Sequence, residues 1–322
     1  MPVVIATRGS ALALAQAHEV AALLRQQEPH LEAEVRIYST QGDERLEMSL
    51  SEGHLEKGLF TREIEAALLR GEAHCAVHSL KDLPTLSSDG LVLSAILPRE
   101  NPSDYLFTRG PGGLPLLPQN AVVGTGSPRR LAQLRNLRSD LRFCEIRGNV
   151  PTRLSKLAKG IDGMQATILA AAGIRRLGLE GDNGCLTFEG QTVWWEQLSW
   201  DHMLPAPGQA AIAVQTRADL AEDILDLLTR LDHVATRLCV ETERAVLSSI
   251  GGGCHLALGA LAEVDAGNVD LRCRYFAEGR CVDFRGQAKA SEHLALAQQA
   301  ATHLQNQLFT LPAQDSTTHN AP

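Results

Sequence analysis

Arginine recurs where short apolar runs turn into helical patterns. VVIAT at 3–7 leads into Arg8-Gly9-Ser10, and AVVGTG at 121–126 leads into Ser127-Pro128-Arg129-Arg130. FCEI at 143–146 leads into Arg147-Gly148-Asn149 with Arg153 one turn on, and ATILAAAG at 166–173 leads into Ile174-Arg175-Arg176. A helix start carries unpaired N–H groups and the positive end of the backbone dipole, so it favours anions. A guanidinium adds a planar fork that matches a carboxylate or a phosphate. One such corner is an ordinary surface ion-pair site. Repeated corners in a chain of net charge −8 imply a cleft that holds several anionic groups at once.

Two other places carry chemistry. Lys81-Asp82 follows a strand pattern, at the strand end where α/β folds bind ligands. In isolation the pair is a surface salt bridge, but opposite clustered arginines Asp82 would stay ionised. An ionised aspartate in a cationic pocket suits the stabilisation of a positive intermediate or the transfer of a proton. Gly251-Gly252-Gly253-Cys254-His255 joins a helix pattern to a strand pattern. A lone cysteine is most often buried and inert, yet three glycines permit a turn that leaves Cys254 accessible and reactive. Other motifs carry less. GTGSPR at 124–129 superficially matches a dinucleotide fingerprint, but Arg129 stands at the third glycine position. Ser127 as N-cap and Pro128 at the first helical position make a sound helix start instead. His74 and His78 on one strand face would lie about 13 Å apart, too far to share a metal, so no metal is expected.

These residues need a scaffold of alternating strands and helices. Residues 1–100 read as strand (Val3–Thr7), helix capped by Ser10, strand (34–39), helix (60–69) and strand (74–79), an α/β pattern with parallel pairing. The polar stretch 41–58 between them reads as a lid or a disordered loop. Proline and glycine punctuate 98–120, which reads as a linker. A second α/β run follows to about Leu177, then a less regular segment with Trp194, Trp195 and Trp200, then a return strand within 203–214. Two helices, three strands (257–262, 269–276, 281–288) and a final helix form an α+β unit, and the tail reads as disordered.

Length and composition agree with this outline. A chain of 322 residues exceeds the usual single-core size, so two or three domains are expected. The 44% hydrophobic and 21% charged content is that of a globular protein. Net acidity argues against a nucleic-acid binder, and no apolar run has the ~18–20 residues of a membrane span. The start MPVVIATRGS lacks the pattern of a secretory signal. Seven scattered cysteines without a CxxC point to reduced thiols in a cytoplasmic protein.

Taken together, ATRGS, KGLF (57–60), AVHSLKDLP (76–84), VVGTGSPRR (122–130), IRGNVPTRLSKL (146–157), AAGIRRLGL (171–179), LPAPGQ (204–209), ERA (243–245) and GGGCHLALGA (251–260) resemble the porphobilinogen deaminase (hydroxymethylbilane synthase) family along nearly the whole chain. The resemblance implies two similar periplasmic-binding-protein-like α/β domains around a cleft plus a small C-terminal α+β domain. It divides the chain into 1–100 with 204–230, 101–203, and 231–322. It implies a transferase that condenses four porphobilinogens head to tail, releases ammonia, and hydrolyses the product to hydroxymethylbilane in porphyrin and haem biosynthesis. Asp82 matches the catalytic aspartate, and Cys254 matches the cysteine that holds a dipyrromethane cofactor through a thioether. Ser79, Lys81, Thr125, Ser127, Arg129, Arg130 and Arg147 match cofactor contacts. Arg8, Ser10, Arg147, Arg153 and Arg176 match substrate contacts. The expected protein is a cytoplasmic monomer without nucleic-acid or membrane partners.

Departures from the family pattern are few. Gly126 stands where a serine is common, Ala210 where glycine is usual after PGQ, and Glu52, His54 and Glu56 where the lid is richer in glycine and lysine. The Trp-bearing segment around 185–200 is longer than the common form. Two rival readings follow: a non-catalytic anion binder with the same two-lobed architecture, and a diverged paralogue without turnover. Asp82 and Cys254 together favour the enzyme over the binder.

Overall fold

A computed structural model describes residues 2–39, 61–253 and 255–310; the expectations for the 41–58 lid, for Cys254 itself and for the tail lie outside the described residues. The chain begins with β1 (Val3–Thr7), α1 (Ala11–Gln27), β2 (Ala33–Ile37), α2 (Arg62–Leu69), β3 (Cys75–Ser79) and β4 (Leu91–Ile96). It then crosses to a second sheet through β5 (Asp104–Thr108). That sheet continues with β6 (Val122–Gly124), α3 (Pro128–Leu137), β7 (Arg142–Cys144), α4 (Val150–Ala158), β8 (Met164–Ala170), α5 (Ala171–Arg176), β9 (Cys185–Phe188) and β10 (Gln191–Gln197). The chain crosses back with β11 (Ile212–Arg217).

The two sheets share one plan. Their strand orders are β2-β1-β3-β11-β4 and β7-β6-β8-β5-β10-β9. In each, the first three strands run parallel in the order second-first-third, and the fourth is an antiparallel strand delivered by a crossing from the other sheet. The central strands are apolar without alternation because both faces are covered: every residue of β1 and of β5 is buried. On α1, Ala17, Val20, Ala21 and Leu24 fall on one face and pack on β1 and β3.

Two readings of the sequence need correction. Residues 98–120 are not a linker, because DYLFT inside them forms β5 between β8 and β10. The flanking prolines and glycines end the strand; they do not prevent it. The tryptophan segment is not irregular either: β9 and β10 form an antiparallel hairpin, and β10 pairs with β5. There Trp195 stacks on the buried Tyr105 ring at 4.4 Å, and its indole N–H donates to the Glu180 carbonyl at 2.5 Å.

The remainder is α6 (Glu222–Thr229), α7 (Val234–Ser249), β12 (Ala257–Asp265), β13 (Asn268–Ala277), β14 (Arg280–Lys289) and α8 (His293–Thr310). The last three strands form an antiparallel sheet. Val269, Leu271, Cys273 and Tyr275 alternate along β13 toward one buried face, where Val246 of α7 and Leu296 and Leu304 of α8 complete the core. The architecture is two α/β domains and a small α+β domain.

All three parts meet at 204–210. Leu204 exchanges hydrogen bonds with Gln133 of α3. The Pro205 carbonyl accepts from Ala260 N–H of β12 at 2.9 Å. Gly208 takes φ +73 against Leu80, and Ala210 takes φ +74. Only glycine adopts that conformation without cost; for alanine the left-handed region costs about 1–2 kcal/mol, partly offset by the lower unfolded-state entropy of alanine. Ala210→Gly is therefore expected to stabilise the protein by up to ~1 kcal/mol. A calorimetric scan should show Tm raised by roughly 1–4 °C; a lowered Tm would refute the strain.

Candidate active site

The parallel strands of each sheet end along one edge, and the chemistry-bearing residues follow those ends. After β1 comes Arg8, half-buried, and then Ser10, whose Oγ accepts from Ala13 N–H at 3.3 Å to start α1. Ser79 closes β3, and its hydroxyl pairs with the Gln16 side chain of α1 at 2.9 and 3.0 Å. Leu80–Asp82 then form one 3₁₀ turn. In the second sheet β6 leads to Thr125 and Ser127. Thr125 Oγ1 accepts from Ser127 N–H at 3.2 Å, and Ser127 Oγ from Arg130 N–H at 3.5 Å, so both hydroxyls cap α3.

Arg129 and Arg130 turn inward from the first turn of α3. Both are buried and both pair with Asp104, at 2.8 and 2.7 Å. Arg129 also donates to the Leu204 carbonyl at 2.6 Å, and Arg130 to that of Ile168 at 2.9 Å. Burial opposes the charge of Asp104, but the adjacent guanidiniums outweigh it and hold its carboxyl well below the usual range. Burial pulls Arg129 down from its ordinary value. Arg130 Nε remains buried without a partner.

Gln209 joins this cluster to the Asp82 turn. Fully buried, its amide donates to Asp104 at 3.0 Å and to the Pro102 carbonyl at 2.7 Å, and its oxygen accepts from Lys81 Nζ at 3.3 Å. Desolvation lowers Lys81 to about 8; the Asp82 charge opposes the shift and Arg130 adds to it. Desolvation likewise lowers Arg153 to about 10, with Arg130 adding and Asp82 opposing. Lys81, Arg153, Arg130 and Asp82 therefore lie within electrostatic reach of one another. Asp82 is exposed at its turn.

The other arginines differ in their engagement. Arg153 donates to the Gly148 carbonyl at 2.7 Å and has no carboxylate partner among the described residues. Arg147 pairs with Glu145 two residues back, on the surface. Arg176 spans the two lobes, with Nε to Glu19 of α1 at 3.2 Å and Nη2 to the Ala210 carbonyl at 3.2 Å. The Arg8 charge acts on His78, which burial above all lowers to about 4. The structure thus brings Lys81, Asp82, Arg129, Arg130 and Arg153 together. It uses Arg129 and Arg130 largely to neutralise a buried aspartate, and leaves Arg147 turned to its own loop.

Several functional residues had no chemical role in the sequence reading. Glu243 is fully buried on α7. Its carboxylate accepts from both Arg99 Nη atoms at 2.6 and 3.0 Å, from Gly208 N–H at 2.7 Å and from Ala262 N–H at 2.8 Å. Asp104 and Gln209 are comparable hubs. ERA and LPAPGQ marked two of them as motifs, but partners 19 to 144 residues away are not readable from spacing. The glycine loop before Cys254 reaches the Asp82 turn: a Cβ on Gly252 would stand 3.2 Å from Thr85 Oγ1. At Gly126 a Cβ would meet nothing closer than 3.4 Å, so no steric demand explains the glycine.

Two α/β lobes, a cationic seam between their strand ends and a third domain locked onto that seam define a two-lobed protein built around an inter-domain cleft. Residues 3–224 match the family model "Porphobilinogen deaminase, dipyromethane cofactor binding domain", and residues 237–308 match "Porphobilinogen deaminase, C-terminal domain". A porphobilinogen deaminase of Xanthomonas euvesicatoria pv. vesicatoria is 44% identical over 302 residues, covering 93% of this chain and 94% of that one. One from Syntrophomonas wolfei subsp. wolfei is 43% identical over 269 residues, 83% of each. Among solved structures, the ligand-binding component of an ABC-type import system from Staphylococcus aureus with zinc bound aligns at TM-score 0.38 and 11% identity, covering 78% of this chain and 75% of that one. The chain belongs to the porphobilinogen deaminase family.

Asp104→Asn should leave two buried guanidiniums facing a neutral amide, a loss of about 3–5 kcal/mol measurable by urea unfolding. A change below about 1 kcal/mol would make the pairing incidental. For Lys81, folded and unfolded chains both hold the proton below pH 8. Between about 8 and the ordinary 10.5 only the unfolded chain does, so this group favours the folded state increasingly as pH rises through that window. NMR of a labelled Lys81 should titrate near 8; a midpoint above 10 would contradict the desolvated site.

Proposed function

We propose that this chain is the transferase that builds hydroxymethylbilane from four porphobilinogens, as its family membership and its site chemistry together indicate. In each condensation the C–N bond of the substrate aminomethyl group breaks and a C–C bond forms to the α-carbon of the growing pyrrole chain. The α-proton leaves with the departing amine as ammonia is completed, and after the fourth unit water would cleave the bond that joins the first unit's methylene to the anchored pyrrole carbon, hydroxide going to the methylene and the proton to that carbon. Every unit brings two more carboxylates into the cleft. The reading assigns Asp82 to hold the positive charge that develops as the amine departs and to pass the proton. Its exposure at a cationic seam is the observation that carries this reading.

The residues present fit a carboxylate-rich dipyrromethane. Arg130 Nε is buried and unpartnered, and Arg153 has no carboxylate partner among the described residues. Lys81, Ser79, Thr125, Ser127, Arg129, Arg130 and Arg147 would hold the cofactor, with Cys254 as its thioether anchor. When bound, the cofactor supplies the pyrrole carbon on which the chain grows. Arg8, Ser10, Arg147, Arg153 and Arg176 would bind the incoming unit. An arriving carboxylate can displace the exposed Glu145 from Arg147, because exposed pairs contribute only about 0–1 kcal/mol. The domain limits implied by this reading are 1–100 with 204–230, 101–203 and 231–322, in a cytoplasmic monomer.

One experiment separates the roles. Intact mass should show a covalent excess of two deaminated pyrrole units in the wild type and in Asp82→Asn, and none in Cys254→Ser. Turnover should fall by roughly 10²–10⁴ in Asp82→Asn and vanish in Cys254→Ser. An adduct retained in Cys254→Ser, or Asp82→Asn turnover within a few-fold of wild type, would overturn the assignment.

A further inference from the structure

Asp82 accepts no hydrogen bond among the described residues and is exposed, so its place is set by the backbone of its turn. That turn is one 3₁₀ segment, too short to hold itself. Its own bonds are Leu83 N–H to the Leu80 carbonyl at 3.1 Å and Leu80 N–H to the Ala211 carbonyl at 3.0 Å. Lys81 Nζ adds a bond to Gln209 at 3.3 Å, the Leu80 and Leu83 side chains are buried in a core cluster, and α7 supplies further support. Arg244 Nη1 donates to the carbonyls of Leu80 at 3.2 Å and Leu83 at 3.1 Å, and Nη2 donates to that of Pro84 at 2.5 Å. One guanidinium thus gathers three carbonyls bracketing Asp82, a pattern that a point-charge ammonium cannot reproduce.

The helix that supplies this grip is anchored on both sides of Arg244. Glu243, the preceding residue, fixes it to Arg99, Gly208 and Ala262. Its C-terminal end runs into the loop of Gly251–Gly253, and Gly252 packs on Thr85, three residues beyond Asp82. We propose that Arg244 is a positioning residue for the condensation, holding the Asp82 turn in register with the loop that bears Cys254. The inference rests on the roles given above to Asp82 and Cys254.

Arg244→Lys keeps one charge and loses the fork. With misplacements near 1 Å costing on the order of 10² in rate, kcat is expected to fall at least tenfold, with KM within about threefold of wild type and the covalent mass retained. Arg237→Lys, on the same helix and bonded to Asp232 and Glu241, is the control for helix stability and should keep wild-type kcat. The deciding readout is the double variant. If Arg244 acts through Asp82, Asp82→Asn with Arg244→Lys should be no slower than Asp82→Asn alone. Multiplying losses, or an Arg244→Lys kcat within twofold of wild type, would overturn the proposal. Loss of the adduct in Arg244→Lys would also overturn it, by moving the role to cofactor loading. Failure of the underlying reading is distinct, since Asp82→Asn alone would then turn over normally.

Discussion

A single buried carboxylate, that of Glu243, fixes how the three parts of this chain sit together. It accepts from the Arg99 fork at the first crossing between sheets, from Gly208 in the second crossing and from Ala262 in the third domain. A carboxylate with no solvent contact is costly unless paired and fully hydrogen-bonded. Here both oxygens are satisfied, and every donor comes from a segment that must stay put for the cleft to exist. Such a pair contributes less to net stability than to uniqueness. Removing either member strands the other charge, whereas displaced geometries cannot satisfy four donors at once.

Asp104 has the same logic one layer nearer the cleft. Two arginines at a helix start would repel each other and resist burial, and the aspartate on β5 makes their burial tolerable. The cluster then has a net positive balance where Lys81 and Arg153 add their charges near Asp82. An overall acidic chain thereby presents a local cationic seam, with its acids spent elsewhere or locked in neutralising pairs. On the proposed reaction, whose product gains carboxylates at each step, such a seam would retain the chain electrostatically while single contacts exchange.

Much of the scaffold was legible because local signals agreed with the global fold. VVIAT, the Ser10 cap and the apolar face of α1 all point to one βα unit, and the period-2 pattern of β13 identifies a half-covered sheet. DYLFT was misread because proline and glycine on both sides marked it as a connection, while its role as a delivered antiparallel strand depends on tertiary pairing. The corners showed where arginines stand, not what they face. Arg129 and Arg130 stand at a strand-to-helix corner and still spend most of their donors on Asp104, Leu204 and Ile168. Glu243 and Arg244 enter the sequence reading only as part of the ERA motif, because nothing local to ERA reveals partners as distant as Arg99, Leu80 and Leu83.

The shared strand order of the two sheets explains why Lys81, Asp82, Arg129, Arg130 and Arg153 come together at the seam. Each sheet is completed by a strand that the other half of the fold delivers, β5 in one direction and β11 in the other. The two connections that deliver them, 97–103 and 198–211, must therefore pass side by side, and they carry Arg99, Gln209 and Ala210. Any relative motion of the lobes would bend these connections, yet Gln209 bonds to both lobes and Arg99 binds the third domain. The hinge region is thus bonded from three sides. On the proposed reaction, room for a lengthening product would come more readily from exchanging exposed pairs such as Arg147–Glu145, or the interlobe Arg176–Glu19 contact, than from opening the crossings.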